Sequence, residues 1–146
     1  MDAIDKKIIK ILQDNARTPI KDIANMVSLS SPAVSTRIAK LEKDGVIQAY
    51  NLRLNRERLG YHIIAFVQVE MDPSLKVKFS EEMSRCNNVL ECCNVTGQCS
   101  EIIKAAFKST KDLDAFLTRI QTYGRTSTHI VLSAHVPARD KLIDCE

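Results

Sequence analysis

The sequence predicts an α+β chain of two units. The first is a winged helix-turn-helix. The second is a four-stranded antiparallel sheet with two helices on one face. Three observations predict this. Apolar residues recur at helical spacing in three short stretches before residue 45. The pattern then alternates as in a strand. Beyond residue 60, strand and helix patterns follow in the order β-α-β-β-α-β.

Asp2 is placed to cap a first helix, in which Ile4, Ile8, Ile11 and Leu12 form the apolar stripe and which ends near Asn15. Thr18-Pro19 reads as an N-cap followed by proline in the first helical position, and the second helix buries Ile20, Ile23, Ala24 and Val27. The third helix opens with Ser30, Ser31 and Pro32. A serine satisfies free N–H groups, and the proline wastes no donor in the first turn. Val34, Ile38 and Leu41 make its buried stripe, and Asp44-Gly45 stops it. The run VIQAYNLRL (46–54) alternates like a strand, which completes a winged or ribbon-extended helix-turn-helix.

Residues 56–60 read as a connector. YHIIAFVQVEM (61–71) is a strand, and Leu75, Phe79 and Met83 mark a helix. VLECCNVTG (89–97) and IIKAAFK (102–108) are two strands joined by a turn around Gly97. Leu113, Phe116, Leu117 and Ile120 give a second helix, and THIVLSAHV (128–136) is the last strand. This order is the ferredoxin-like arrangement. Ile64 and Phe66 lie on the opposite face of their strand from Ile63, Ala65, Val67 and Val69. A sheet apolar on both faces but covered on one needs another layer, and a second copy of the chain supplies it economically. The other source of cover is the N-terminal unit.

At 146 residues with 45% hydrophobic residues, the chain can build one mid-sized or two small cores. No stretch resembles a signal peptide or a membrane span, so a soluble, cytoplasmic protein is expected. Cys86, Cys92, Cys93, Cys99 and Cys145 form no CxxC pair and read as reduced structural or incidental thiols; no metal or cofactor is expected. Charge is unevenly placed. Residues 1–60 hold eleven Lys and Arg against seven Asp and Glu, whereas residues 61–146 hold ten against eleven. The positive balance therefore belongs to the N-terminal third, as expected if that part meets a polyanion.

The third helix is capped firmly yet presents mostly short or basic side chains. In a helix-turn-helix, this helix enters the major groove of duplex DNA. Small residues let the backbone approach. Ser31, Ser35 and Thr36 offer hydrogen bonds, Arg37 suits bidentate contact with guanine, and Lys40 and Lys43 suit phosphates. The expected DNA-binding set is Ser30, Ser31, Pro32, Ser35, Thr36, Arg37 and Lys40.

The run LSSPAVSTRIAKLEKDGVIQAY resembles the signature of the Lrp/AsnC (feast/famine) transcription regulators. The opening MDAIDKKIIKILQDNAR is similar to that family's start, including Asp5, Leu12 and Arg17. Val95-Thr96-Gly97 resembles part of its ligand-responsive domain. The resemblance implies a RAM-type βαββαβ domain for effector binding and assembly, dimers that associate into tetramers or octamers, and amino acids as effectors. The implied division is a helix-turn-helix domain over 1–50, a connector over 51–60, and an effector-binding and oligomerisation domain over 61–146. Where the family usually carries an aspartate three residues after the turn glycine, this chain has Ser100, followed by Glu101. The expected effector site is Thr96, Gly97, Gln98, Cys99, Ser100 and Glu101. Glycine there permits close backbone approach, and Glu101 suits an ammonium.

Two other classes share features of this pattern. Some heme-biosynthesis decarboxylases resemble the same two-part architecture, but here only Arg85, Arg119, Arg125 and Arg139, scattered along the C-terminal half, would meet porphyrin carboxylates. An architectural DNA-coating protein would use the same helix and ignore small ligands. His62, His129 and His135 fall in no metal or nucleophile motif, and no catalytic residue is expected.

Overall fold

Asp2 and Asp5 begin the first helix, α1 (Ala3–Asp14), with a reciprocal capping box. The Asp5 N–H donates to Asp2 Oδ1 at 2.8 Å, and the Asp2 N–H donates to Asp5 Oδ2 at 3.0 Å. Such a cap contributes about 1 kcal/mol to a helix. α2 (Ile20–Val27) starts differently from expectation. Pro19 holds the N-cap position, and the Thr18 hydroxyl points back to donate to the Asn15 carbonyl at 2.7 Å. Thr18 thus closes the end of α1 rather than opening α2. The residue after α2, Ser28, adopts the left-handed conformation (φ 56°). α3 (Ser31–Lys43) is capped by the Ser30 hydroxyl, which accepts from the Ala33 N–H at 3.4 Å, and Pro32 lies in its first turn. Gly45 (φ 70°) turns the chain out of it. Ile8, Ile23 and Val34 are fully buried where the three helices meet, with Ala24, Val27 and Ile38 around them. Each such side chain stabilises by roughly 1.5–3 kcal/mol through burial.

The structure described here is a computed structural model that covers residues 1–136 and Ala138. Arg139 and Cys145 therefore lie outside the described residues. Met1–Arg53 forms one compact unit and Leu54–His135 another.

The run VIQAYNLRL does not form the expected strand. Its alternation is present, but no described segment pairs with it, and a strand needs a ladder partner for its backbone groups. Val46, Tyr50, Leu52 and Leu54 remain exposed. The Tyr50 hydroxyl donates to Glu42 on α3 at 2.8 Å; partial shielding from water first, and the Glu42 carboxylate second, push the phenol up to about 12.

The second unit is built on β1 (Ile63–Met71), α4 (Lys76–Arg85), β2 (Val89–Asn94), β3 (Glu101–Phe107), α5 (Thr110–Ile120) and β4 (Gly124–Ile130). The spatial order is β2-β3-β1-β4, all antiparallel, so the expected ferredoxin-like topology is the observed one. Ala65, Val67 and Val69 of β1 and Ile103, Ala105 and Phe107 of β3 face Phe79, Met83, Leu113, Phe116 and Ile120 of the helices. Phe66 lies on the other face and is 37% exposed, with the Lys104 ammonium 5.6 Å above its ring.

The last strand begins and ends earlier than residues 128–136. Register decides this. Met71 pairs with Gly124 and Ala65 with Ile130; one further bond runs from the Val131 N–H to the Ile64 carbonyl, and β1 itself starts only one residue earlier, at Ile63. A glycine starts the strand because a Cβ at position 124 would lie 2.0 Å from the Glu70 carbonyl oxygen.

Candidate nucleic-acid interface and effector cleft

The buried stripe of α3, formed by Val34, Ile38 and Leu41, fixes which side of the helix faces outward. Pro32, Ser35, Thr36, Ala39, Lys40 and Lys43 are exposed, and Ser31 is half-buried. Most of the expected DNA-binding set therefore shares one side. Two hydroxyls are already used within the unit. Ser30 serves as the cap, and Thr36 Oγ1 donates to the Pro32 carbonyl at 2.9 Å. The hydroxyls of Ser31 and Ser35 have no partner among the described residues.

Arg37, expected from the sequence to suit bidentate contact with guanine, is engaged within the unit in this structure. Its Nη1 lies 2.7 Å from Asp2 Oδ2 and 2.7 Å from Asp5 Oδ1. The physical reason is geometric. Arg37 sits on the flank of α3 between its buried and exposed sides, and there it meets the acidic first turn of α1. Both carboxyls are held below their usual range, by the backbone N–H bonds of the capping box first and then, among the stabilising contacts, by Arg37. The guanidinium is correspondingly raised by its bonds to Asp5 and Asp2.

In the second unit, the β2–β3 connection is placed by the pairing of Val69 with Glu101. The Ser100 N–H donates to the Val69 carbonyl at 2.9 Å, and the Val95 N–H donates to the Ser100 carbonyl at 3.0 Å. Gly97 has φ 119°, a backbone conformation that side-chain-bearing residues rarely adopt. The N–H groups of Thr96, Gly97, Gln98 and Cys99 donate to no group among the described residues. Thr96, Gly97, Cys99, Ser100 and Glu101 line a cleft of about 300 Å³ with Met71, Lys76 and Asn94. Gln98 does not line it. The Ser100 hydroxyl is turned onto the backbone of Met71, 3.4 Å from both its N and its O.

Glu101 is the buried charge of this region, 5% exposed on the helix-covered face. Asn94 Nδ2 donates to its Oε1 at 2.9 Å, and the Cys92 thiol lies 3.9 Å from its Oε2. Burial, and then the Glu101 carboxylate, push the Cys92 thiol up to about 11. No cation pairs with Glu101 among the described residues. A second cleft of about 490 Å³ runs between α4 and β2 and shares Lys76, Asn94 and Glu101 with the first. Lys76 and Asn94 are lining residues that no sequence motif marks. Asn94 precedes the turn and would have been found by asking which residue faces Glu101 across a two-strand hairpin; Lys76 has no local signal.

Arg119, one of the arginines that a porphyrin site would need, is bound to Glu82 at 2.9 Å. His62, His129 and His135 are exposed. Among the described residues no His, Cys, Asp and Glu cluster could hold a metal, and no helix is long and apolar enough to cross a membrane.

A helix-turn-helix unit followed by a βαββαβ unit is the arrangement of a DNA-binding regulator with a C-terminal ligand-binding type of domain. Residues 1–48 match the winged helix-turn-helix DNA-binding family, and residues 64–140 match the Lrp/AsnC ligand binding domain family. The chain belongs to the Lrp/AsnC family of transcription regulators. It is similar to the HTH-type transcriptional regulator FL11 of Pyrococcus horikoshii, at 32% identity over 92% of this chain and 91% of that protein. The solved leucine response regulatory protein LrpA of Mycobacterium tuberculosis superposes with a TM-score of 0.84 at 29% identity, over 98% of this chain and all of that one. A Neisseria meningitidis transcriptional regulator solved in complex with L-Met shares the fold, with a TM-score of 0.91 at 22% identity over 98% of this chain and 96% of that one.

Proposed function

We propose that this regulator senses a small zwitterion, an amino acid or close analogue, at the turn of residues 95–101, and that ligand occupancy tunes its hold on DNA. The observation that carries the proposal is Glu101: a buried carboxyl, on the floor of two clefts, without a cationic partner. Burying a carboxylate without a countercharge is costly, and an incoming ammonium supplies that charge. The unbonded N–H groups around Gly97 suit the ligand carboxylate. Ser100, with its hydroxyl on Met71, leaves Glu101 as the acidic partner where relatives use an aspartate.

The outward side of α3 makes the DNA contacts, with Ser31, Ser35 and Thr36 toward base edges and Lys40 and Lys43 on phosphates. The bare sheet face around Phe66 pairs with a second copy of the chain, and higher assemblies build on that dimer. The protein works as a cytoplasmic regulator without catalytic activity of its own. The closing experiment is calorimetry with the twenty amino acids on wild type, Glu101→Gln, Gly97→Val and Ser100→Asp, followed by DNA titration with and without any ligand found. Binding that is lost in Glu101→Gln and Gly97→Val supports the site. Tight binding that both variants leave unchanged places the site elsewhere.

A further inference from the structure

Asp2 and Asp5 use all four of their carboxylate oxygens. Asp2 Oδ1 accepts from the Asp5 N–H, and Asp5 Oδ2 accepts from the Asp2 N–H, which is the capping box of α1. The two remaining oxygens, Asp2 Oδ2 and Asp5 Oδ1, both lie 2.7 Å from Arg37 Nη1. The result is a closed ring of contacts from the start of α1 to the middle of α3. From this ring we infer that Arg37 is a positioning residue, which fixes α3 against α1 and does not itself read the duplex.

Three facts carry this beyond an incidental surface pair. First, the guanidinium meets two carboxylates already fixed in place by backbone bonds, so little side-chain freedom is lost on one side of the contact. Second, Asp5 is largely shielded, with its side chain 15% exposed, and Arg37 is 32% exposed. Third, Ile8 of α1 and Val34 and Ile38 of α3 pack in the same core, so the ring sits over a hydrophobic seam between those two helices and sets their rotation about it. An arginine drawn away to a guanine would leave two carboxylates facing a polyanion. That arrangement is repulsive, and it disfavours the base-reading role. Sequence alone suggests the opposite, because an arginine in the middle of a DNA-facing helix is normally assigned to a base.

The inference rests on α3 being the DNA-facing helix, and the experiment separates the two ideas. The full chain is titrated with a selected duplex and with single-base variants of it, over a range of salt concentrations. The proteins are wild type, Arg37→Ala, Asp5→Asn, the double variant, and Lys40→Ala. A positioning role predicts that Arg37→Ala weakens all duplexes by a similar factor, with base preference and salt slope unchanged. It also predicts that Asp5→Asn gives the same loss and that the double variant is no worse than either single one. Helical circular dichroism checks that Asp5→Asn, which keeps the shape of the cap, remains folded. A base-reading Arg37 would instead relax preference at one position, and Asp5→Asn would leave affinity intact or raise it. A phosphate contact would lower the salt slope by about one unit. Either of those outcomes overturns the inference. If Lys40→Ala has no effect on affinity or slope, it is the assignment of α3 that fails.

Discussion

Asn94 and Glu101 face each other at the turn end of the β2–β3 hairpin, joined by a 2.9 Å bond from Asn94 Nδ2 to Glu101 Oε1. Asn94 Nδ2 also donates to the Ser100 carbonyl at 2.8 Å. One amide therefore ties a buried carboxyl to the turn that carries it. Asn94→Ala should destabilise the C-terminal unit by about 1–3 kcal/mol, because it strands a buried acceptor. Glu101→Gln preserves an acceptor and should cost less. Urea unfolding of the two variants compares them directly, and equal losses would refute the assigned role of Asn94.

Cys92 should behave as an unreactive thiol although the residue is exposed. Its raised value of about 11 means that the neutral form is favoured in the folded protein. The folded state gains from this below the ordinary thiol range and loses the gain as pH rises through about 11. Alkylation at pH 8 should therefore be slow at Cys92. Glu101→Gln removes the second cause of the shift and should speed it. Mass spectrometry of time-quenched samples gives the rates by site.

Phe66 and Val67 are neighbours with opposite fates. Val67 is fully buried beneath the helices, and Phe66 sits on the bare face. Val67→Glu should unfold the C-terminal unit, since an unpaired charge in the core costs several kcal/mol. Phe66→Glu should leave circular dichroism unchanged and lower the molar mass seen by light scattering. An unchanged mass would show that this face is not the contact between copies.

Ser28 holds a left-handed conformation that glycine adopts without penalty. Ser28→Gly should stabilise the N-terminal unit by up to about 1 kcal/mol. The change is to be read in the thermal midpoint of that unit, and a lower midpoint would show that the serine side chain contributes more than the backbone strain costs.

Legibility in the sequence followed the kind of information each feature needs. The βαββαβ order was readable because every element has its own period, and Asp2, Ser30 and Gly45 were readable as caps because capping is local chemistry. The β4 boundary was not, since it depends on register against β1 and on the close approach of Gly124 to Glu70. The run 46–54 shows the limit of periodicity: alternation states which side chains share a face, not whether a partner strand exists. At the sites, the outward set of α3 was legible, but the engagement of Arg37 was not, because Asp2 and Asp5 stand more than thirty residues away along the chain. The turn around Gly97 could be named, but the inward aim of Glu101 needed its pairing with Val69.

The two hydrophobic cores have no residue in common. Burial within each unit therefore stabilises that unit by itself. The smaller core belongs to the N-terminal unit, and in so small a unit burial only modestly outweighs chain entropy. That unit is the one that grips DNA. A duplex at a hundred times its dissociation constant adds about 2.7 kcal/mol to whatever binds it. Occupied promoter DNA thus acts as a structural component of the N-terminal unit, which is at its least stable when the regulator is searching.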